Sequence, residues 1–150
     1  MRTAIMGAGG IGSVVGGLLA KAGHDITLID QWPEHIARIK VDGLIVETRD
    51  GESLTHPKAI HIHELQLQTN PFGAVFISVK SYDTEWATMM LNHLDLQDGT
   101  FVDFQNGIND ERMAEIVGVE RSLACIITIS AAVYEPGRCI RTDMNSPGFK

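Results

Sequence analysis

Cysteine is scarce in this sequence, which has only Cys125 and Cys139 among its 150 residues. Two thiols are too few for a disulfide framework and lack the paired spacing of a zinc site, so we expect both to be reduced. Apolar runs long enough to span a bilayer are also absent, and the glycines that begin at Gly7 come too early for a secretory signal. The sequence therefore predicts a cytoplasmic protein with no membrane partner.

Positive charge is scarce as well, because 12 lysines and arginines face 19 acidic residues and give a net charge of -7. Proteins that bind nucleic acid neutralise its phosphates with clustered basic side chains, and no such cluster occurs here. We therefore expect no nucleic-acid partner. The 44% hydrophobic and 21% charged residues are typical of a globular domain, and the length predicts a single core.

The first thirty residues have the pattern of a strand, a helix and a second strand. Residues 3–6 predict a short buried strand, and apolar residues recur at offsets of three and four over 11–22, as on one face of a helix. Gly23 follows where a left-handed residue would end that helix. Residues 25–30 supply the second apolar strand, and a unit of this size predicts a parallel pair of strands.

The turn between the first strand and the helix carries the pattern Gly-x-Gly-x-x-Gly. The first glycine permits a tight turn, the second lets the backbone approach a pyrophosphate, and the third allows close packing of the helix. The helix N-terminus adds unpaired N–H groups and a positive dipole end. The alternative is that the glycines serve packing alone. We interpret this loop as a dinucleotide-binding site that comprises Gly7, Ala8, Gly9, Gly10, Ile11 and Gly12.

The later segments continue the alternation of strands and helices. They predict an α/β fold of Rossmann type, with a doubly wound, mostly parallel sheet and a small antiparallel hairpin. Further strands of the sheet are expected at 59–63, 74–79, 100–104 and 123–132, the hairpin at 44–48 and 53–55, and an edge strand at 138–142. The uninterrupted apolar run 74–79 predicts a central strand that is covered on both faces.

Three more helices are expected, beginning at Pro33, near Asp83 and at Asn109. Ser81 can cap the second of them. We interpret one face of that second helix as core, because its large apolar residues recur at helical spacing. These residues are Trp86, Met89, Met90 and Leu94.

Asp30 ends the second strand, at about the position where a carboxylate accepts hydrogen bonds from the adenosine ribose. Such a carboxylate would repel a 2′-phosphate, and no arginine or lysine follows it before Arg38. This spacing favours NAD over NADP. The alternative is an ordinary turn or capping aspartate ahead of Pro33.

Lys80 and Asn106 each follow an apolar strand and are therefore expected at the ligand-binding edge of the sheet. A lysine there can donate to a ribose or to a substrate carboxylate, and an asparagine amide can both donate and accept. The alternatives are a solvated cation at a strand end and an ordinary turn at Asn106-Gly107.

Other candidate groups point to no chemistry. His61 and His63 would share one face of a strand, as a metal site requires, but no third ligand has a convincing spacing. We therefore expect no metal and interpret both as solvent-facing. Cys125 has no activating partner in the sequence and is interpreted as a small buried hydrophobe.

The chain resembles the N-terminal domain of the ketopantoate reductase (2-dehydropantoate 2-reductase) family over nearly all of its length. Besides the glycine loop, the resemblance rests on VKSYDT at 79–84, QNGINDE at 105–111, TISAA at 128–132 and EPG at 135–137. Family members reduce a 2-keto acid by hydride transfer from a nicotinamide dinucleotide, usually NADPH. The resemblance implies reduction of 2-dehydropantoate to pantoate, in pantothenate and coenzyme A biosynthesis, or of a related substrate.

The same resemblance assigns roles to individual residues. Lys80 and Asn106 are implied to contact the nicotinamide-side ribose and the adjoining substrate, with Ala132 near the cofactor. Asp30 departs from the basic or neutral residue of most relatives. The family's catalytic lysine, a general acid, belongs to an all-helical C-terminal domain, so we expect residues 1–150 to form the dinucleotide-binding domain alone, and that helical domain to be absent from this chain.

Three functions remain open at this point. The first is the cofactor-binding domain of a keto-acid reductase, which binds a dinucleotide but barely catalyses, because catalysis needs a fixed substrate and a proton donor. The second is a stand-alone dinucleotide-binding or redox-sensing module without catalysis. The third, a different dehydrogenase, is disfavoured by the Lys80 and Asn106 segments. A face exposed by the missing domain predicts self-association into a homo-oligomer.

Overall fold

The fold combines a parallel sheet, flanking helices and a smaller mixed sheet. The structure is a computed structural model and describes residues 1–94 and 99–143. In chain order its elements are β1 (Arg2–Met6), α1 (Gly10–Lys21), β2 (Asp25–Asp30), α2 (Pro33–Asp42), β3 (Leu44–Thr48), β4 (Gly51–Thr55), β5 (Lys58–His61), β6 (Ala74–Ile77), α3 (Thr84–Asn92), β7 (Thr100–Asp103), α4 (Asp110–Val117), β8 (Ser122–Ala124), β9 (Ala131–Glu135) and β10 (Arg138–Arg141). None of the helices described is long and apolar enough to cross a membrane.

The main sheet has the strand order β5-β2-β1-β6-β7-β8, and every pairing in it is parallel. Its faces bury two apolar clusters: α1 and α2 cover one with Val14, Val15, Ile36 and Ile39, and α3 and α4 cover the other with Ala87, Leu91, Met113 and Val117. The predicted doubly wound sheet is confirmed. Because β1 and β6 are central, Ile5, Val75 and Ile77 are completely buried, as the apolar runs predict.

The second sheet has the order β4-β3-β10-β9, which confirms one prediction and corrects two. The hairpin of β3 and β4 exists, but it is half of a four-stranded sheet. The segment expected to be an edge strand, β10, lies inside that sheet, where it pairs parallel to β3 and antiparallel to β9. Residues 123–132 do not form one strand. They include the end of β8, which belongs to the main sheet, and the start of β9, which belongs to the second sheet. The apolar pattern continues between β8 and β9, so it does not indicate where the chain passes from one sheet to the other.

Helix α3 buries a different face from the one predicted. Its buried residues are Thr84, Ala87, Thr88 and Leu91. Trp86 and Met89 are 41% and 48% exposed, while Met90 and Leu94 are partly buried against the core. Small side chains let the helix pack close to the sheet, and the Thr88 hydroxyl is satisfied by the Thr84 carbonyl at 2.7 Å. The prediction that Ser81 caps this helix is also wrong, because Ser81 begins a 3₁₀ turn, Ser81–Asp83, that precedes it.

Candidate functional site

A cleft lies at the carboxyl end of the main sheet, where β1, β2 and β6 end side by side. Ligands bind at this edge in open α/β sheets. Of the predicted site residues, Gly7, Gly9, Asp30 and Lys80 line the cleft together. The other residues of its lining are Met6, Ile29, Gln31, Ile62, Ser78, Val79, Tyr82, Asp83 and Trp86. Trp86, predicted as core, is therefore part of the cleft wall.

The glycines of the loop differ in what their missing side chains would meet. A Cβ on Gly10 would lie 2.2 Å from the Ala131 carbonyl oxygen, and one on Gly12 would lie 2.0 Å from that of Gly7. Gly7 has φ +102° and its Cβ would lie 2.8 Å from the Ser78 carbonyl. A Cβ on Gly9 would meet no atom of residues 1–94 or 99–143 within 4 Å. Gly9 is thus the position in the loop where a ligand can approach the backbone.

The remaining members of the predicted loop site pack inward. Ala8 is buried and Ile11 packs against the core, so neither side chain faces the cleft. Helix α1 begins at Gly10 with no acidic residue in its first turn and no side-chain cap. Its first N–H groups and positive dipole end are therefore suited to an anion such as a pyrophosphate. Ala132 lies beside this turn, with its backbone nitrogen 2.8 Å from the position of a Cβ on Gly10.

The Asp30 carboxylate is bound to the backbone on both sides. Its Oδ2 accepts from the Ala8 N–H at 2.7 Å, and its Oδ1 accepts from the Trp32 N–H at 2.9 Å. The second bond is the local turn that was the alternative interpretation of this residue. A carboxylate has about four acceptor positions, so both contacts leave capacity for ribose hydroxyls. Asp30 thus fastens the glycine loop and still lines the cleft.

Lys80 and Asn106 lie on neighbouring loops after β6 and β7, and both are exposed. Among the described residues that line the cleft, Lys80 is the only cation. Asn106 precedes Gly107, which lies in a bend and has a φ of +106°. The Asn106 carbonyl accepts from the Asn109 side-chain amide at 3.2 Å. Asn106 does not line the same cleft as Lys80, so the structure brings their loops together rather than their side chains.

Gln105, which the sequence interpretation passed over, joins these two loops. It is 6% exposed, and its Nε2 donates to the Val79 carbonyl at 2.6 Å. Its Oε1 lies 3.0 Å from the Thr84 hydroxyl, whose single proton is shared with the Ser81 carbonyl. The one signal in the sequence is a polar residue that directly follows a buried strand.

Asp103 is a second group that the sequence interpretation missed. It ends β7 and is 3% exposed, and its Oδ1 has no hydrogen-bond partner among the described residues. Burial, with the charge of Asp110, raises the pKa of Asp103 to about 6. The backbone N–H groups of Asn109 and Gln105 form hydrogen bonds with the carboxylate that lower its pKa and so oppose this shift. The Asp103 carboxylate therefore lies against the loop that carries Asn106.

The two histidines do not form the predicted arrangement. His61 ends β5, whereas His63 lies in a 3₁₀ segment, Ile62–Leu67, so the two do not share one face of a strand. Their Nδ1 atoms are 2.5 Å apart, and the His61 Nε2 is 2.9 Å from the Gln31 carbonyl. Over residues 1–94 and 99–143 no group of three metal-ligating side chains occurs.

Neither cysteine has the surroundings of a nucleophile. Cys139 is completely buried in β10, and burial raises the pKa of its thiol to about 12. Cys125 is only half-buried, with its pKa raised first by burial and then by Asp103. A raised thiol pKa disfavours the reactive thiolate.

Comparison with known proteins agrees with this geometry. The family model described as "Ketopantoate reductase PanE/ApbA" matches residues 3–147. The chain belongs to the ketopantoate reductase family. The resemblance predicted from the motifs is therefore confirmed.

Members of the ketopantoate reductase family are similar to the chain in both sequence and structure. It is 36% identical over 138 residues to 2-dehydropantoate 2-reductase of Pyrococcus horikoshii, covering 91% of this chain and 43% of that protein. The enzyme of the same name from Halobacterium salinarum is 36% identical over 140 residues, with 91% and 45% covered. The chain therefore spans less than half the length of these relatives.

Solved structures give the same result. A PanE/ApbA family ketopantoate reductase from Ralstonia eutropha superposes with a TM-score of 0.84 at 28% identity, covering 95% of this chain and 46% of that one. A D-mandelate dehydrogenase, solved with NADH and anilino(oxo)acetate, superposes with a TM-score of 0.81 at 26% identity, covering 94% and 45%. The Rossmann-type fold of the family is confirmed.

Proposed function

We propose that the chain is the NAD(P)-binding domain of a reductase that transfers a hydride to a small 2-keto acid. The observation that carries this proposal is the cleft at the carboxyl edge of the sheet, where Gly9, the Asp30 carboxylate and Lys80 come together. Membership of the ketopantoate reductase family supports a nicotinamide dinucleotide as the ligand. The substrate class follows from relatives named 2-dehydropantoate 2-reductase.

The residues present fit a dinucleotide. Gly9 and the uncapped N-terminus of α1 would hold the pyrophosphate, and Asp30 would accept from the adenosine ribose hydroxyls. Lys80 and Asn106 would contact the nicotinamide-side ribose and the substrate, and Ala132 would flank the cofactor. When bound, the dinucleotide supplies the hydride. The general acid would be the lysine of the family's helical domain, so residues 1–150 alone would bind but barely catalyse.

We propose further that NAD is preferred to NADP. The Asp30 carboxylate lies at the cleft with Gln31 next to it, and no arginine lines the described cleft. A 2′-phosphate near this carboxylate would bring like charges together. The similar D-mandelate dehydrogenase was solved with NADH. Self-association, the absence of nucleic-acid and membrane partners, and a cytoplasmic location stay predictions.

The test is calorimetric titration of the chain with NADH and NADPH, followed by an assay with 2-dehydropantoate. We expect saturable binding with NADH preferred and almost no turnover by residues 1–150. The product of the whole reading frame is expected to reduce the keto acid. Binding without turnover by that complete product would support a stand-alone module instead, and no binding of either dinucleotide would contradict the proposal.

A further inference from the structure

His35 is completely buried and connects three separate parts of the chain. It lies in the first turn of α2 and stacks on Trp32, with ring centroids 5.3 Å apart. Its Nδ1 accepts from the Gly137 N–H at 2.9 Å, in the turn between β9 and β10. Its Nε2 lies 3.3 Å from the Ser13 hydroxyl of α1. Both ring nitrogens of this buried imidazole therefore have a hydrogen-bond partner, as buried polar groups require.

The hydrogen bonds assign one tautomer to this ring. Because Nδ1 accepts a hydrogen bond from Gly137, a neutral His35 carries its proton on Nε2. The Ser13 hydroxyl donates to the Ala8 carbonyl at 2.7 Å, so its oxygen is free to accept from Nε2. Burial lowers the pKa of His35 and favours this neutral form, despite the opposing effects of the Asp30 charge and of a hydrogen bond between the ring and the Ala8 backbone.

The bond from Ser13 controls the orientation of the Ala8–Gly9 peptide. A trans peptide is planar, and its N–H and C=O point in opposite directions. With the Ala8 carbonyl held inward by Ser13, the Gly9 N–H points the opposite way. Gly9 itself lines the cleft, and no described residue would contact a Cβ placed on it.

We propose that His35 and Ser13 are positioning residues for the dinucleotide, which they never touch. The neutral ring orients Ser13, Ser13 holds the Ala8 carbonyl inward, and the Gly9 N–H is thereby aimed at the pyrophosphate. Through Gly137 the same ring fastens the turn of the second sheet to the glycine loop. This inference rests on the proposed dinucleotide binding, because the pyrophosphate is the group toward which the Gly9 N–H is aimed.

Two substitutions of His35 separate its two contacts. Glutamine places a donor near the position of Nε2, and asparagine places an acceptor near that of Nδ1. His35→Gln should retain NADH affinity within about twofold and lower the unfolding temperature, because the bond to Gly137 is lost. His35→Asn should weaken NADH binding by about threefold to tenfold, the effect of a hydrogen bond worth about 1 kcal/mol.

Ser13→Ala removes the bond to the Ala8 carbonyl and should weaken NADH binding by roughly tenfold. Thr88→Val is the matched control, since it removes a buried hydroxyl that donates to a carbonyl within α3. This control should lose stability and keep its NADH affinity. All titrations are made well below the unfolding temperature of the least stable variant.

A spectroscopic readout tests the arrangement without any cofactor. Nitrogen-15 spectra of the wild-type chain should show His35 as a neutral ring protonated on Nε2. An imidazolium or the other tautomer at neutral pH would overturn the inference, as would wild-type NADH affinity in both Ser13→Ala and His35→Asn. Failure of the wild-type chain to bind either dinucleotide would reject the proposed function instead.

Discussion

The side-chain amide of Gln105 donates from Nε2 to the Val79 carbonyl at 2.6 Å and so ties the loop that carries Asn106 to the loop that carries Lys80. The two loops follow β6 and β7, which are adjacent parallel strands. The register of these strands places their carboxyl ends side by side. The strands alone do not fix the loops beyond them. A buried amide between the loops therefore sets how far apart the two proposed cofactor contacts lie.

Gln105→Leu should lower the free energy of unfolding by about 1 to 3 kcal/mol, because it leaves the Val79 carbonyl without its donor and removes the acceptor at Thr84. Urea unfolding measures the change. Gln66→Leu, at an exposed glutamine, is the control and should stay within about 0.5 kcal/mol of wild type. Equal stabilities of the two variants would contradict the role of Gln105.

Asp30→Asn should shift the cofactor preference toward NADP. Asparagine keeps an acceptor for the Ala8 or Trp32 N–H but removes the charge that would repel a 2′-phosphate. We expect the ratio of NADPH to NADH affinity to rise by about tenfold, equal to about 1.4 kcal/mol. Asp30→Arg tests the same point less cleanly, because it also releases the glycine loop.

The control for that change is Asp42→Asn. Asp42 is an exposed carboxylate in α2 that pairs with Arg38 and does not line the cleft. Its replacement removes the same charge and should leave the affinity ratio unchanged. An unchanged ratio in Asp30→Asn as well would remove the basis for a preference for NAD.

Asp103 should make stability depend on pH in the direction opposite to most carboxylates. Its pKa of about 6 in the folded chain exceeds the value of 3.8 of an unperturbed aspartate. The folded chain therefore binds this proton more tightly, so the contribution of Asp103 to the free energy of unfolding increases as pH falls from 6 toward 4. Above pH 6 the buried charge is a cost.

Asp103→Asn should accordingly stabilise the chain at pH 8 by up to about 3 kcal/mol, since one pKa unit corresponds to about 1.4 kcal/mol. Near pH 4 the gain should disappear. Urea unfolding at both pH values measures the difference in stability. Asp50→Asn, at an exposed aspartate, is the control and should leave the free energy of unfolding unchanged at pH 8 and at pH 4. A variant no more stable than wild type at pH 8 would show that the Asp103 charge is not costly.

Much of the fold was predictable where the information is local. β2 has both predicted ends, and α1 and α2 begin within one residue of prediction, because glycines, Pro33 and helical spacing mark them. The division of 123–132 was not predictable, since β8 and β9 are separated by their partners β7 and β10. The buried residues of α3 recur at the same helical spacing as its large apolar residues. The prediction chose the face with the larger side chains, and that face was the wrong one.

The residues around the cleft also divide into those that the sequence predicts and those that it does not. Gly7, Gly9, Asp30 and Lys80 line one cleft, because each adjoins the carboxyl end of a strand, and their roles there stay predictions. His35 and Gln105 were missed. The contact of His35 with Gly137 spans 102 positions, and that of Gln105 with Val79 spans 26, so neither leaves a pattern in the sequence.

The central claim is that the open side of the glycine loop holds the pyrophosphate of a nicotinamide dinucleotide. Gly9→Ala tests it, because Gly9 has φ -68°, which alanine adopts freely, and a Cβ there meets no atom within 4 Å in the part of the chain that the structure describes. Gly10→Ala is a contrasting variant that should destabilise the fold, since its Cβ would lie 2.2 Å from the Ala131 carbonyl oxygen.

The most direct measurement is the NADH affinity of Gly9→Ala beside that of the wild-type chain, with both unfolding temperatures recorded. The account predicts an unfolding temperature close to wild type and an affinity lowered by at least about tenfold, or about 1.4 kcal/mol, because the methyl group occupies the space of the phosphate. Wild-type affinity in a folded Gly9→Ala chain would contradict it.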